Sequence, residues 1–154
     1  MFHRLTNLSL NIVATMAMLS GFLPMLSWSR LEGVPVPNHF NLHGVVDGVG
    51  DRGILLTLAL IGLGIYIIMV LIQCFPNMVN LPVPDRKTEV ARAAKTDLAA
   101  QMNLLLCLLL SFGANSTLSV AAGRSQTLNV WFIWGIVALA LVCIGVAIFR
   151  ICRR

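Results

Sequence analysis

Residues 53–75 read GILLTLALIGLGIYIIMVLIQCF, twenty-three positions without a charge. A helix that crosses a bilayer needs about 20 mostly apolar residues, so Gly53–Phe75 is predicted to span a membrane. Gly62 and Gly64 within it are expected to let a neighbouring helix approach closely. Working outward, the same reading recurs. Leu5–Ser29, Leu98–Gly123 and Leu128–Phe149 are also free of charge. The expected fold is an all-α integral membrane bundle of four transmembrane helices, spans at about 6–29, 53–75, 98–122 and 128–150. One membrane domain covers residues 1–154.

Composition agrees. The chain is 58% hydrophobic and 11% charged, with a mean hydropathy of +0.87, whereas soluble domains are about one-quarter charged. Four spans leave no room for a separate soluble catalytic domain. The net charge of +5 comes from residues scattered between the apolar runs rather than one patch, which excludes a nucleic-acid partner and leaves the lipid bilayer as the surrounding medium. Cys74, Cys107, Cys143 and Cys152 show no paired spacing, so no disulfide framework or metal knuckle is expected, and no cofactor is called for.

The first apolar run is too long for a signal-peptide core of about 7–15 residues, and is expected to stay as a span. Asn7, Asn11, Ala14, Ala17 and Gly21 share one helical face, the small and amide composition that helix packing in lipid favours. Pro24 is expected to kink its end. Between spans two and three, residues 76–97 form a second connection. Pro82 and Pro84 mark a stiff exit from the bilayer, and Asp85 or Thr88 caps an amphipathic helix that runs on into span three. The mixed charges from Asp85 to Asp97, including Glu89, Arg92 and Lys95, read as a solvated face. Span three is the most polar, with Gln101, Asn103, Ser111, Asn115, Ser116, Thr117 and Ser119.

Lysine and arginine set the expected orientation. With the N-terminus inside, inner segments hold Arg4, Arg86, Lys87, Arg92, Lys95, Arg150, Arg153 and Arg154, and outer ones hold Arg30, Arg52 and Arg124. Eight against three places both termini in the cytoplasm. Trp28, Trp131 and Trp134 then form an outer aromatic belt.

The loop from Arg30 to Arg52 faces outward in this arrangement and concentrates the polar chemistry. His39, His43, Asp47 and Asp51 recur every fourth residue. On a helix they would make one stripe of weak zinc-ligand candidates. Gly44, Gly48 and Gly50 argue instead for a turn-rich loop, with Asn41 and Asp47 bonding turns and the glycines supplying positive φ. His39 and Phe40 would then pack onto the ends of the spans. His39 is the residue best placed to act as a base or proton sensor, yet no nucleophile stands beside it in the sequence and no catalytic set is assigned.

Pro37-x-His39-Phe40-Asn41-x-x-Gly44-x-x-Asp47-Gly48-x-Gly50-x-Arg52 resembles the P-x-H-F/W-N-x-x-G-x-x-D-G-x-G-S-K signature of a bacterial membrane domain. That domain also forms the N-terminal part of the sporulation-delay toxin immunity proteins. Asn80-Leu81-Pro82, followed by Glu89 and Arg92, is similar to the family's second loop. Asp51 stands where the family has Ser, Arg52 replaces Lys, and His43 lies outside the signature. The resemblance implies a multi-span protein of the bacterial cytoplasmic membrane. Toxin immunity and sequestration of a transcriptional repressor belong to one branch of it.

The function expected is that of a non-enzymatic membrane protein, an immunity-like or signalling module. Its outer loop would meet a protein partner or peptide toxin, with His39 and Asn41 making polar contacts and Asp47, Gly48 and Gly50 shaping the loop. The alternatives are a small transporter or transporter subunit, and a metal-dependent membrane enzyme.

Overall fold

A computed structural model describes residues 2–78 and 89–152, with side chains from Leu5 onward. The cap at Asp85 or Thr88, the exit at Pro82 and Pro84 and the second-loop match at Asn80–Pro82 lie outside the described residues. So do the side chains of Arg4, Arg86, Lys87, Arg153 and Arg154.

Among the described residues four α-helices form the bundle: α1 (Phe2–Ser20), α2 (Gly53–Cys74), α3 (Glu89–Ala121) and α4 (Val130–Cys152). Each is long and apolar enough to cross a membrane, α1 together with the 3-10 segment Leu23–Leu31 that continues it. This is the architecture of a multi-pass membrane protein. It is not wholly helical. Val36–Phe40 (β1) and Val46–Gly50 (β2) pair as an antiparallel hairpin between the first and second spans. A short 3-10 turn, Pro76–Met78, follows α2.

The helix α3 is the centre of the bundle. At 33 residues it is about 50 Å long at 1.5 Å per residue, and the expected amphipathic segment and third span are one unbroken helix. It packs against α1, α2 and α4, while α1 and α2 touch only sparingly. The predicted small-residue stripe of α1 is what meets it. Ala14 and Ala17 are buried against Cys107, with Met18, Tyr66, Leu104 and Leu108 around them, and Gly21 lies over the Ser111 backbone. Small side chains let the backbones approach and gain dispersion contact where lipid supplies no hydrophobic drive. Of Gly62 and Gly64, expected to do the same, only Gly62 is buried, facing Leu110 of α3. A methyl on Gly62 would rest at an ordinary 3.9 Å from Leu110, and Gly64 faces open space.

Polar side chains hold the seam together. Asn11 donates to Gln73 Oε1 at 2.7 Å, and its own Oδ1 accepts from Gln73 Nε2 and Asn103 Nδ2, both at 3.2 Å. One amide cluster thus joins three helices. Thr15 bonds Tyr66 at 2.8 Å, and Ser20 bonds Ser111. At the opposite end from the hairpin, Asp97 accepts from Asn7 Nδ2 at 2.9 Å and from Arg150 Nη1 at 3.0 Å. The mixed-charge face read as solvated is therefore only partly so. Glu89 and Arg92 are exposed, but Lys95 is 2% exposed and Asp97 8%, because α3 has neighbours on three sides and turns those positions toward them.

Pro24 does more than kink α1. An unbroken helix would send the N–H of residue 24 to the carbonyl of Ser20, and proline has none. The helix stops at Ser20, Pro24 lies in the first turn of the 3-10 segment, and Asn115 Nδ2 donates to the freed Ser20 carbonyl at 3.0 Å. Replacing Asn115 by leucine is expected to destabilise the protein by about 1–2 kcal/mol, since an unpaired carbonyl is left at a helix junction. Thermal unfolding in detergent measures this. Combining Asn115→Leu with Pro24→Ala, which restores an N–H, should cost less than Asn115→Leu alone.

Candidate functional site

The hairpin that replaces the expected irregular loop is built by local chemistry. Val36, Val46 and Val49 favour an extended backbone, and Asn41 makes the turn. Its Oδ1 accepts from the N–H of His43 at 2.9 Å and of Val45 at 3.1 Å, while its own N–H reaches the Val45 carbonyl at 2.9 Å. Gly44 completes the turn at φ +77°, a region that costs a side chain roughly 1–2 kcal/mol. Asn41 thus plays its expected part. Asp47 does not bond a turn, and Gly48 and Gly50 are absent from the positive-φ positions. Gly48 is needed for another reason: a Cβ there would stand 2.6 Å from Asn38 Oδ1 and 3.0 Å from His39 Cβ on the facing strand.

The register slips on either side of His39, which faces Gly48. The slip brings His39 and Asp47 together, Nδ1 to Oδ1 at 2.5 Å. The carboxylate accepts, so the proton of this bond sits on Nδ1. The pair is in the open, with side chains 71% and 43% exposed, instead of packed onto the spans. Of the four spaced residues only these two meet. His43 lies exposed in the turn, and Asp51 accepts from the Gly53 N–H at 2.5 Å, which satisfies a free donor at the start of α2. Among the described residues no three of His, Cys, Asp and Glu converge where a metal ion could sit. The fourfold spacing loses its meaning once the segment is a hairpin, because strand side chains repeat every second residue.

The hairpin is fastened at both ends. At its tip, Leu128 N–H donates to the Gly44 carbonyl at 2.8 Å and Val45 bridges Thr127, which ties the turn to the entry of α4. At its root, Arg52 donates to the Trp28 carbonyl at 2.9 Å and lies 4.8 Å from the centre of the Trp28 ring, with Glu32 at 3.5 Å. Val36 is fully buried with Leu31 and Leu55, backed by Met25, Val34, Ile54, Leu118 and Ala121. On the same strand Pro37 is buried and Phe40 half-buried. Glu32, Asp51 and Arg52 edge an open cleft of about 380 Å³ at this root. Leu42, Val45 and Val49 remain exposed. The result is a small fixed platform carrying a His–Asp pair among apolar side chains.

Chemically, the pair orients an imidazole in the way a general base is oriented. The imidazole's only hydrogen-bond partner among the described residues is Asp47. Reading the sequence missed the hairpin itself, although two valine-bearing runs flank a short Asn41–Gly44 turn. It also missed the Asp97–Arg150 pair, whose signal is a carboxylate just before one uncharged run and an arginine just after another. Comparison with models of protein families, with curated proteins and with solved structures returns no match for this chain.

Proposed function

We propose that this chain is a non-enzymatic protein of the bacterial cytoplasmic membrane, with both termini cytoplasmic and the hairpin outside. The hairpin recognises an extracytoplasmic peptide or protein, and the protein acts as an immunity-like or signalling module. The observation that carries the reading is a hairpin anchored at tip and root while His39, Leu42, Val45 and Val49 face outward. A platform fixed before binding loses little entropy when a ligand arrives. The lysine and arginine bias and the motif resemblance support the same assignment.

Two measurements test it. In a background lacking the native cysteines, a cysteine at Leu42 is expected to react with an impermeant reagent on intact cells. Labelling only after permeabilisation would place the hairpin on the wrong side. His39→Ala, at normal membrane abundance, is expected to reduce resistance or signalling output about tenfold, the loss of one hydrogen-bonded contact of about 1.4 kcal/mol. Undiminished output would remove the role given to the platform. A second reading, a small transporter or transporter subunit, rests on the seam of Asn11, Gln73, Asn103 and Asn115. Solute flux into vesicles that vanishes with Asn103→Leu would favour it.

A further inference from the structure

At the hairpin end, the 3-10 segment and the last turn of α3 leave a cleft of about 240 Å³ between them, lined by Ser27, Arg30, Leu31, Val34, Leu118, Ala121, Ala122 and Arg124. Its polar side chains are all of one kind. Two guanidiniums offer five N–H donors each and the Ser27 hydroxyl offers another, and no carboxylate lines the cleft. Among the described residues none of the three has a hydrogen-bond or ion-pair partner. Glu32, the nearest acid in sequence, pairs with Arg52. Three backbone acceptors of the last turn of α3 are also taken. The carbonyls of Leu118, Ser119 and Val120 receive the N–H groups of Ala122, Arg124, Ser125 and Gly123. The cleft therefore holds donors and positive charge with no side chain among the described residues to pair with them.

The rest of the lining is apolar. Leu31, Val34, Leu118 and Ala121 form it, and the same 3-10 segment exposes Leu23 and Leu26. Trp28 sits on that segment and the exposed Trp131 opens α4 at the same end, the depth at which indole rings mark a membrane–water boundary. A free anion would use the donors and gain nothing from the apolar wall. A membrane lipid uses both, with its phosphodiester oxygens on the guanidiniums and its chain along Leu118 and Ala121. We infer that this cleft is a binding site for one anionic phospholipid, held through its phosphate by Arg30 and Arg124.

The test uses the full chain, released from membranes into mild detergent and read by native mass spectrometry. Phosphatidylglycerol, phosphatidylethanolamine and inorganic phosphate are the added probes. The wild type is expected to retain one phosphatidylglycerol with at least about tenfold preference over phosphatidylethanolamine, since two charge-assisted contacts are at stake. Arg30→Gln/Arg124→Gln should abolish that preference, and Arg30→Lys/Arg124→Lys, which keeps both charges, should retain part of it. Among the described residues neither arginine side chain has a hydrogen-bond or ion-pair partner, so these variants are expected to unfold at the wild-type temperature in lipid-free detergent. An unchanged preference in the glutamine pair would overturn the site. An equal loss in Arg92→Gln, at the opposite end of the bundle, would overturn it in favour of bulk attraction. Phosphate that binds without lipid, or displaces it, would overturn the lipid assignment.

Discussion

Replacing Arg150 by methionine is expected to destabilise the folded protein by about 2–3 kcal/mol, the largest effect of any single change at the end opposite the hairpin. Asp97 keeps only 11% of its side chain in contact with solvent, against 37% for Arg150. Without the guanidinium, the poorly hydrated carboxylate loses the charged donor that meets it at 3.0 Å, while the Asn7 amide stays in place. Breaking a buried pair from one side costs more than removing both members, because what hurts is the uncompensated charge. The converse change, Asp97→Leu, strands an arginine that can reach water and should cost less. The double variant should lie well short of the sum of the two. Unfolding temperatures of the three variants in one detergent decide this through a double-mutant cycle. Strict additivity would mean that the 3.0 Å contact between Asp97 and Arg150 contributes nothing. The location gives the pair its leverage. It joins α3 to the last turn of α4, next to the small core of Ala91, Ala94 and Ile151, and it is linked through Asn7 to α1.

How much of this was legible in the sequence differs by scale. The four spans are, because a charge within hydrocarbon is so costly that uncharged runs of this length leave little choice. The face of α1 that packs was legible too, since Asn7, Asn11, Ala14, Ala17 and Gly21 repeat with the helical period. Which partner each amide meets was not. The Asn11–Gln73–Asn103 cluster depends on how three helices are rotated about their axes, and one helix's spacing carries no information about another's rotation. The reading of Lys95 as solvated failed for a related reason. Its three-residue spacing from Arg92 describes a helix with one free side, whereas α3 is enclosed by α1, α2 and α4. The hairpin was hidden by its own composition. Three glycines in seven residues look like irregular chain, and the register slip at His39 breaks the alternation that would have revealed two strands. In the candidate site, the sequence singled out His39, Asn41 and Asp47 but could not pair His39 with Asp47, because that contact exists only through the slip.

Gly44 carries the second large effect, and it separates fixing the hairpin from forming it. Gly44→Val is expected to cost about 3 kcal/mol or more locally, through two independent penalties. The φ of +77° disfavours any side chain by roughly 1–2 kcal/mol. A Cβ at that point would also run into the Leu128 carbonyl oxygen and come within 3.1 Å of the Val130 side chain. The backbone oxygen cannot swing aside as a side chain could, so the turn must move away from the entry of α4. The bond from Leu128 N–H to the Gly44 carbonyl and the bridge between Val45 and Thr127 go with it. Amide hydrogen exchange should therefore speed up by roughly a hundredfold at Leu128, the factor that corresponds to about 2.7 kcal/mol. The helical cores change little, because α1, α2 and α3 meet elsewhere. Leu42→Val, at an exposed neighbour in the same turn, should leave exchange at Leu128 as it is. If the hairpin works as a platform, Gly44→Val also weakens recognition while His39 and Asp47 remain intact, because the root at Arg52 and Trp28 alone would hold it as a hinge rather than a fixed surface. A Gly44→Val protein with fast exchange at Leu128 and undiminished output would mean that the tip anchor contributes to stability and not to recognition.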